Sequence, residues 1–241
     1  MKVKSILAAL LLLVAGVQTA MAQMMIVTLN DNSKVTYSIS QVKEVSFVES
    51  EEHEYVDLGL PSGTLWATCN VGASSPEEYG DYFAWGETVP KDYYDWSTYF
   101  DTDDGGSTFK KYSNNGGLTE LQPEDDAATA NWGSPWRMPS PDQIKELSDS
   151  RYTATEWTQV NGVNGLKVTS KSNGNSIFMP AAGSRWDGKL RYAGSDGYYW
   201  SCSLDPHYGG NAYYLYFSSD GWDWGYNGRF YGRSVRAVRV P

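Results

Sequence analysis

Histidine and cysteine are nearly missing from this chain, with two of each in 241 residues. That scarcity narrows the chemistry. A nucleophile activated by imidazole needs His53 or His207, and neither has a Ser or Cys partner nearby in sequence. The G-x-S-x-G elbow, the phosphate-binding G-x-x-x-x-G-K-[ST] loop and the H-E-x-x-H zinc pattern are all absent. The chain is therefore expected not to be an enzyme. A hydrolase working on glycans through carboxylates is the open alternative, because acids are plentiful and so discriminate nothing.

An excess of basic residues is also missing. Net charge is −10. Nucleic-acid affinity rests on Lys and Arg neutralising phosphates, so nucleic acid is excluded as a partner, and anionic membranes with it. One long apolar run exists, "ILAALLLLVAGV" (6–17), with Lys2 and Lys4 before it and "AMA" (20–22) after it. Residues 1–22 thus read as an export signal cleaved before Gln23. The run is short for a bilayer span, so no membrane insertion is expected after cleavage. No cysteine stands at the cleavage site to carry a lipid. The expected location is outside the cytoplasm: periplasm, cell surface or medium. There Cys69 and Cys202 are free to pair as a disulfide or to stay as two thiols; the sequence leaves both open.

What the chain has is rings and glycine: 10 Trp, 18 Tyr and 24 Gly. Such composition suits short strands and irregular loops packed by large side chains. Residues 24–47 alternate apolar and polar, with "NDNS" (30–33) as a turn. They predict a hairpin, a helical turn at "SQVK" and a third strand, "EVSF". Residues 23–48 form this module, and "ESEEHE" (49–54) is the linker after it. A hairpin this small needs something to dock on. The main domain, 55–241, opens with strand, turn and strand over 55–72 and a further strand at 80–87. Residues 88–120 are irregular. Helices are predicted over 122–132 and 139–149; the second has Ser140 as N-cap, Pro141 at the first position and Gln143 closing a capping box. Strands resume after residue 154. The class is α+β with more strand than helix.

"DTDDGG" (101–106) resembles the start of a calcium loop, with Asp101, Asp103 and Asp104 as candidate ligands. Position twelve is Tyr112 where that loop needs a bidentate Glu. A weak Ca²⁺ site is the most this motif supports, and no other cofactor is indicated.

The stretch "YYLYFSSDGWDWGYNGRFYG" (213–232) holds nine rings in twenty residues. As a strand, 212–217 puts Tyr213, Leu215 and Phe217 on one face and Tyr214 and Tyr216 on the other. The apolar face belongs to the core. Residues 218–228 show no apolar period and are expected to be loop. Rings set among Asp, Asn, Ser and Gly are the composition of a recognition surface. His207 and Tyr208, in the preceding loop, join the candidate set.

Ordered motifs carry a family resemblance: "YVDLGLPSGTLWATCNVGA" (55–73), "YGDYFAWGET" (79–88), "QPEDDAATANWGSPWRMPS" (122–140), "NSIFMPAAGSR" (175–185), "YYWSCS" (198–203) and "RFYGRSVRAVRV" (229–240). Residues 55 to 241 resemble the Fibrobacter-succinogenes major paralogous domain family, found in exported proteins of gut Bacteroidota. The N-terminal hairpin is similar to a module that precedes such domains. The resemblance implies a C-type lectin-like fold related to the formylglycine-generating enzyme fold. It implies structural roles for Trp136, Arg137 and Arg236, with both arginines pinning loops. The paired late cysteines of the enzyme do not carry over, nor do the E-P-N, Q-P-D and W-N-D signatures of calcium-dependent sugar binding. Tyr213, Leu215, Phe217, Trp224, Arg229, Gly232, Ser234, Val235 and Arg236 fall on the family pattern and read as scaffold. Tyr214, Tyr216, Asp220, Trp222, Asp223, Tyr226, Asn227, Phe230 and Arg233 fall where the pattern is free and read as the ligand-binding set. Some lectin-fold proteins of this kind are rewritten by diversity-generating retroelements, and this patch has the residues such rewriting favours. The function implied is binding of a protein or glycan. A structural or adhesive subunit assembling through the N-terminal strands is the alternative. The oligomeric state stays open.

Overall fold

The structure is a computed structural model, and it describes residues 24–28, 34–41 and 53–239. The chain divides into two units, residues 1–49 and 50–241. The export segment, the third strand expected at 44–47 and most of the linker lie outside the described residues.

In the first unit, β1 (Met24–Thr28) and β2 (Lys34–Ser38) pair antiparallel, with Met24 opposite Ser38 and Thr28 opposite Lys34. The hairpin arms are those the alternation predicts. A single 3₁₀ turn, Ile39–Gln41, follows, one residue ahead of the expected helical turn.

The second unit consists mostly of small antiparallel sheets with few helices. Its first sheet joins β3 (Tyr55–Asp57) and β4 (Leu65–Ala67) to the chain's last strand, β13 (Val238–Arg239), in the order β13-β4-β3. "LPSG" turns as expected, Gly63 N–H donating to the Leu60 carbonyl. The strand expected at 80–87 is not there. Phe83 makes one isolated bridge, to Arg233, while Phe83 and Trp85 are buried. Burial of both faces gives a strand-like sequence without a strand's ladder.

The helix expected over 122–132 is two elements. A 3₁₀ turn, Pro123–Asp125, is followed by α1 (Ala127–Trp132), with Asp126 between them capping the Ala128 and Thr129 N–H groups. An Asp that bonds backbone N–H groups starts a helix better than it continues one. The second helix, α2 (Pro141–Ser148), has the Ser140–Gln143 capping box the sequence shows.

Then come β5 (Thr153–Val160), β6 (Val163–Ser170) and β7 (Ser176–Pro180) as a meander, and the small hairpin of β8 (Ser184–Trp186) and β9 (Lys189–Arg191). The last large sheet is β10 (Asp196–Leu204), β11 (Asn211–Ser218) and β12 (Gly221–Gly228), in that order. The strand β12 overturns the loop expected over 218–228. "WDWGYNG" lacks an apolar/polar period because both faces of β12 carry rings or contacts, and pairing with β11 organises it instead. Among the described residues no sheet closes into a barrel, and no helix is long and apolar enough to cross a membrane.

Large rings fill the core. Trp66, Tyr199, Leu215 and Phe217 pack with Ile144 and Leu147 of α2. Trp85, Tyr112, Trp136 and Trp200 form a second cluster with Val235 and Ala237. Gly197, the second residue of β10, sits opposite Phe217; a Cβ there would fall 2.1 Å from that ring. The glycine leaves room for the ring to lie across the strand.

Candidate ligand-recognition face

Residues directly opposite in an antiparallel pair share a sheet face. Leu215 pairs with Tyr199 and Trp224, and Phe217 with Gly197 and Trp222, so these belong to the face that α2 covers. Tyr214 pairs with Trp200 and Gly225, and Tyr216 with Tyr198 and Asp223. They define the other face. The sequence's division of 212–217 into core and outward residues therefore holds.

The other face is floored by tyrosines. Tyr198 lies 5.2 Å from Tyr216 and 6.0 Å from Tyr214, ring centre to ring centre. Tyr192 lies 6.5 Å from Tyr198 and 5.8 Å from Trp186, and Trp186 is 5.4 Å from Tyr231. Tyr231 stacks on Phe230 at 4.2 Å, and Phe230 meets Trp96 at 4.9 Å. A continuous band of rings thus runs from the C-terminal sheet through the β8–β9 hairpin to the long loop. Tyr192 is 55 % exposed, and the others in the band are half-buried. Tyr216 donates its hydroxyl to Asp196 at 2.7 Å, and that bond pushes the phenol up. Burial raises Tyr198 as well. Both phenols are neutral donors at pH 7.

Beneath the rings lies Arg233, 1 % exposed. Its guanidinium carbon is 3.8 Å from the centre of Tyr214, 4.3 Å from Trp200 and 5.2 Å from Tyr198. Burial drives it down to about 10, so it stays charged at neutral pH. Its Nε and Nη1 have no acceptor, and it takes part in none of the ion pairs among the described residues.

The predicted set divides accordingly. Tyr214, Tyr216 and Asp223 share the ring-lined face. Asn227, opposite Ala212, is at its inner end and accepts the Gly228 N–H. Asp220 is at the exposed hairpin tip. Phe230 belongs to the band. Three residues need correction. Trp222 faces α2 and packs against the first core cluster. Tyr226 opposes Tyr213 on that same side, 4.6 Å away. Arg233 is under the face, not on it. Trp224, read as scaffold, is 41 % exposed. His207 and Tyr208 stand exposed in the β10–β11 loop, at the sheet end where Asn211 pairs with Gly228. Trp96, Trp186, Tyr192, Tyr198 and Tyr231 were missed. Alternation along "YYW" could have separated Tyr198 from Tyr199, but the register joining these strands is not written in any one segment.

The scaffold arginines behave unequally. Arg236 is fully buried and donates to Asn70 Oδ1 and to the carbonyls of Ala67, Thr68 and Phe178. Arg137 is exposed; its backbone, not its guanidinium, pairs with Val238.

The three aspartates of 101–104 turn to separate partners. Asp101 is buried and accepts from Arg229 Nη1 and from the N–H groups of Lys111 and Tyr112. Asp103 pairs with Lys110. Asp104 accepts from Ser107 N–H, from both the N–H and hydroxyl of Thr108, and from the Thr102 hydroxyl. Those bonds hold the Asp104 carboxyl down at about 2 against an ordinary 3.8. A depressed carboxylate stabilises above its unfolded value and loses that contribution as pH falls through the folded one. The turn at 104–108 is therefore expected to stay closed at pH 5 and to open between about pH 4 and pH 2. Hydrogen exchange of the Ser107 and Thr108 amides reads this; unchanged protection at the acid end would refute it.

Cys69 and Cys202 are both free thiols. Burial raises the Cys202 thiol to about 11. The His53 ring stacks on Trp132 at 3.9 Å. Concavities of about 510, 300, 310 and 340 Å³ open elsewhere on the domain, and none is lined by Tyr198, Tyr214 or Tyr216. The ring-lined face presents flat aromatic surfaces, with the carboxylates of Asp196 and Asp223 beside Tyr216. No family model matches the chain, and no curated protein or solved structure matches it.

Proposed function

We propose that this chain is an exported, non-enzymatic recognition protein, and that residues 55–241 are a C-type lectin-like domain of the major paralogous type. The ligand, a protein or a glycan, binds the ring-lined face of β10–β11–β12. One observation carries the reading: one face of the sheet packs against α2, while on the other, beside the buried Trp200, Tyr198 and Tyr216 stay half-buried in a band of rings that ends on Tyr192, 55 % exposed. Folding alone does not need half-buried rings in a continuous band, whereas binding gains large rigid contact area from them at low entropy cost. The test is the pair Tyr192→Ala and Tyr216→Ala on protein and glycan arrays. Signals abolished in a folded protein support the face as the site; signals unchanged overturn it.

A second reading has its own observation. Met24, Ile26, Val35 and Tyr37 are exposed on a two-stranded hairpin, with Ile39 exposed in the turn after it, and such a hairpin is marginal alone in water. If the hairpin assembles copies of the chain, sedimentation shows an oligomer that deletion of residues 23–48 converts to monomer. A full chain that remains monomeric at high concentration excludes that role.

A further inference from the structure

Arg233 is the anomaly of the domain. The three buried arginines near the C-terminus are not alike. Arg229 also has an Nε and Nη2 without acceptors, but it has the Asp101 carboxylate at 3.2 Å and the Tyr112 carbonyl at 3.1 Å, and Arg236 has four oxygen acceptors. Arg233 has rings around it, a hydrogen bond to the Tyr214 side chain, no carboxylate partner among the described residues, and an Nε and Nη1 with nothing to bond. Aromatic faces attract a cation, but they do not accept its N–H bonds as oxygen does. A buried charge without a counter-charge is expensive, and native structures keep one where something else satisfies it.

Its cover can move. Tyr214 lies over the guanidinium and also across β12, where its partner is Gly225. A Cβ at 225 would come within 3.3 Å of the Tyr214 hydroxyl and 3.4 Å of its ring. No side chain on β12 therefore props Tyr214 in place. Tyr214 is the ring nearest the guanidinium, at 3.8 Å, with Trp200, Tyr198 and Tyr231 further off at 4.3, 5.2 and 5.5 Å, so access to Arg233 from the ring-lined face requires Tyr214 to rotate.

Resting on the recognition reading above, we infer that Arg233 is a latent anion anchor, and that the ligand of this face is an acidic, uronate-bearing glycan. Pyranose rings stack on the tyrosine and tryptophan faces. The sugar carboxylate displaces Tyr214 and takes the unpaired Nε and Nη1. Flat ring faces favour this ligand over an acidic peptide, because pyranose faces stack on them while a peptide's anchor side chains need pockets. Asp196 is occupied by the Tyr216 and Ser195 hydroxyls, and neither it nor Asp223, on the same face, forms an ion pair with Arg233.

The experiment is calorimetric titration of the exported chain with tetragalacturonate, with its methyl ester and with a poly-glutamate peptide. The acid form is expected to bind at least about tenfold tighter than the ester, as charge-assisted bonds to a buried cation require. Arg233→Met is expected to erase that difference while leaving weak binding of both. Should Arg233→Met fail to fold, the wild-type Arg233 Nε–H resonance decides: it shifts with the acid and not with the ester. Equal binding of acid and ester overturns the anchor while sparing the face. Poly-glutamate competing as well as the sugar overturns the glycan assignment in favour of an acidic peptide. No binding of either sugar, alongside an array ligand sensitive to Tyr192→Ala and Tyr216→Ala, overturns the ligand class alone. No binding and no such array ligand sinks the recognition reading with it.

Discussion

Arg236→Leu is expected to destabilise the domain by about 3 kcal/mol, while Arg137→Leu changes stability by less than about 0.5 kcal/mol. Two terms oppose each other at Arg236. Removing the guanidinium recovers the cost of burying a charge. It also strands Asn70 Oδ1 and the carbonyls of Ala67, Thr68 and Phe178 away from water. Each stranded acceptor costs about 1–3 kcal/mol. Four of them outweigh the recovery, because the fully satisfied fork had already offset its own desolvation. These acceptors also belong to separate parts of the fold, β4 with its following residues and β7, so their loss loosens how the sheets are joined. At Arg137 the guanidinium is exposed and only the backbone pairs, so leucine keeps the bond that matters. The midpoint of urea unfolding reads both. Equal midpoint shifts for the two variants would refute the distinction.

The second large effect concerns binding. Tyr192→Ala and Tyr216→Ala together are expected to weaken ligand affinity at least about 100-fold, taking each ring as an anchor worth about 2 kcal/mol. Their cost to stability is small, since Tyr192 is exposed and Tyr216 is half-buried at the sheet's outer end. Trp222→Ala should do the reverse. Its ring packs against the core that includes Leu215, Phe217 and α2. Its removal is expected to lower stability by about 2–3 kcal/mol and to leave affinity within about twofold. Measuring both properties on both variants separates the two faces of one hairpin. Affinity that follows Trp222 and ignores Tyr192 and Tyr216 would place the site on the wrong side of the sheet.

That reversal shows where reading residues in a line stops. The alternation of 212–217 placed Leu215 and Phe217 inward and Tyr214 and Tyr216 outward, because a strand's period is local. The capping box of α2 and the hairpin arms at 24–28 and 34–38 were legible for the same reason. Trp222 and Trp224 were not. Both stand opposite core-facing residues of β11, Trp222 opposite Phe217 and Trp224 opposite Leu215. Both lie on the edge strand β12, yet Trp222 packs against the first core cluster while Trp224 is 41 % exposed, a difference set by contacts with other segments.

The amino-acid order by itself determined the acidic, ring-rich, histidine-poor character of the chain. It also determined its short elements and the outward tyrosines of β11, since composition and nearest-neighbour periodicity are properties of contiguous residues. Only the tertiary structure decided that Tyr192, Tyr198 and Tyr231 join those tyrosines, that Trp222 and Tyr226 turn away, and that Arg233 lies unpaired underneath. These outcomes depend on strand register and on contacts between segments tens of residues apart, and no local pattern encodes a distance across a sheet.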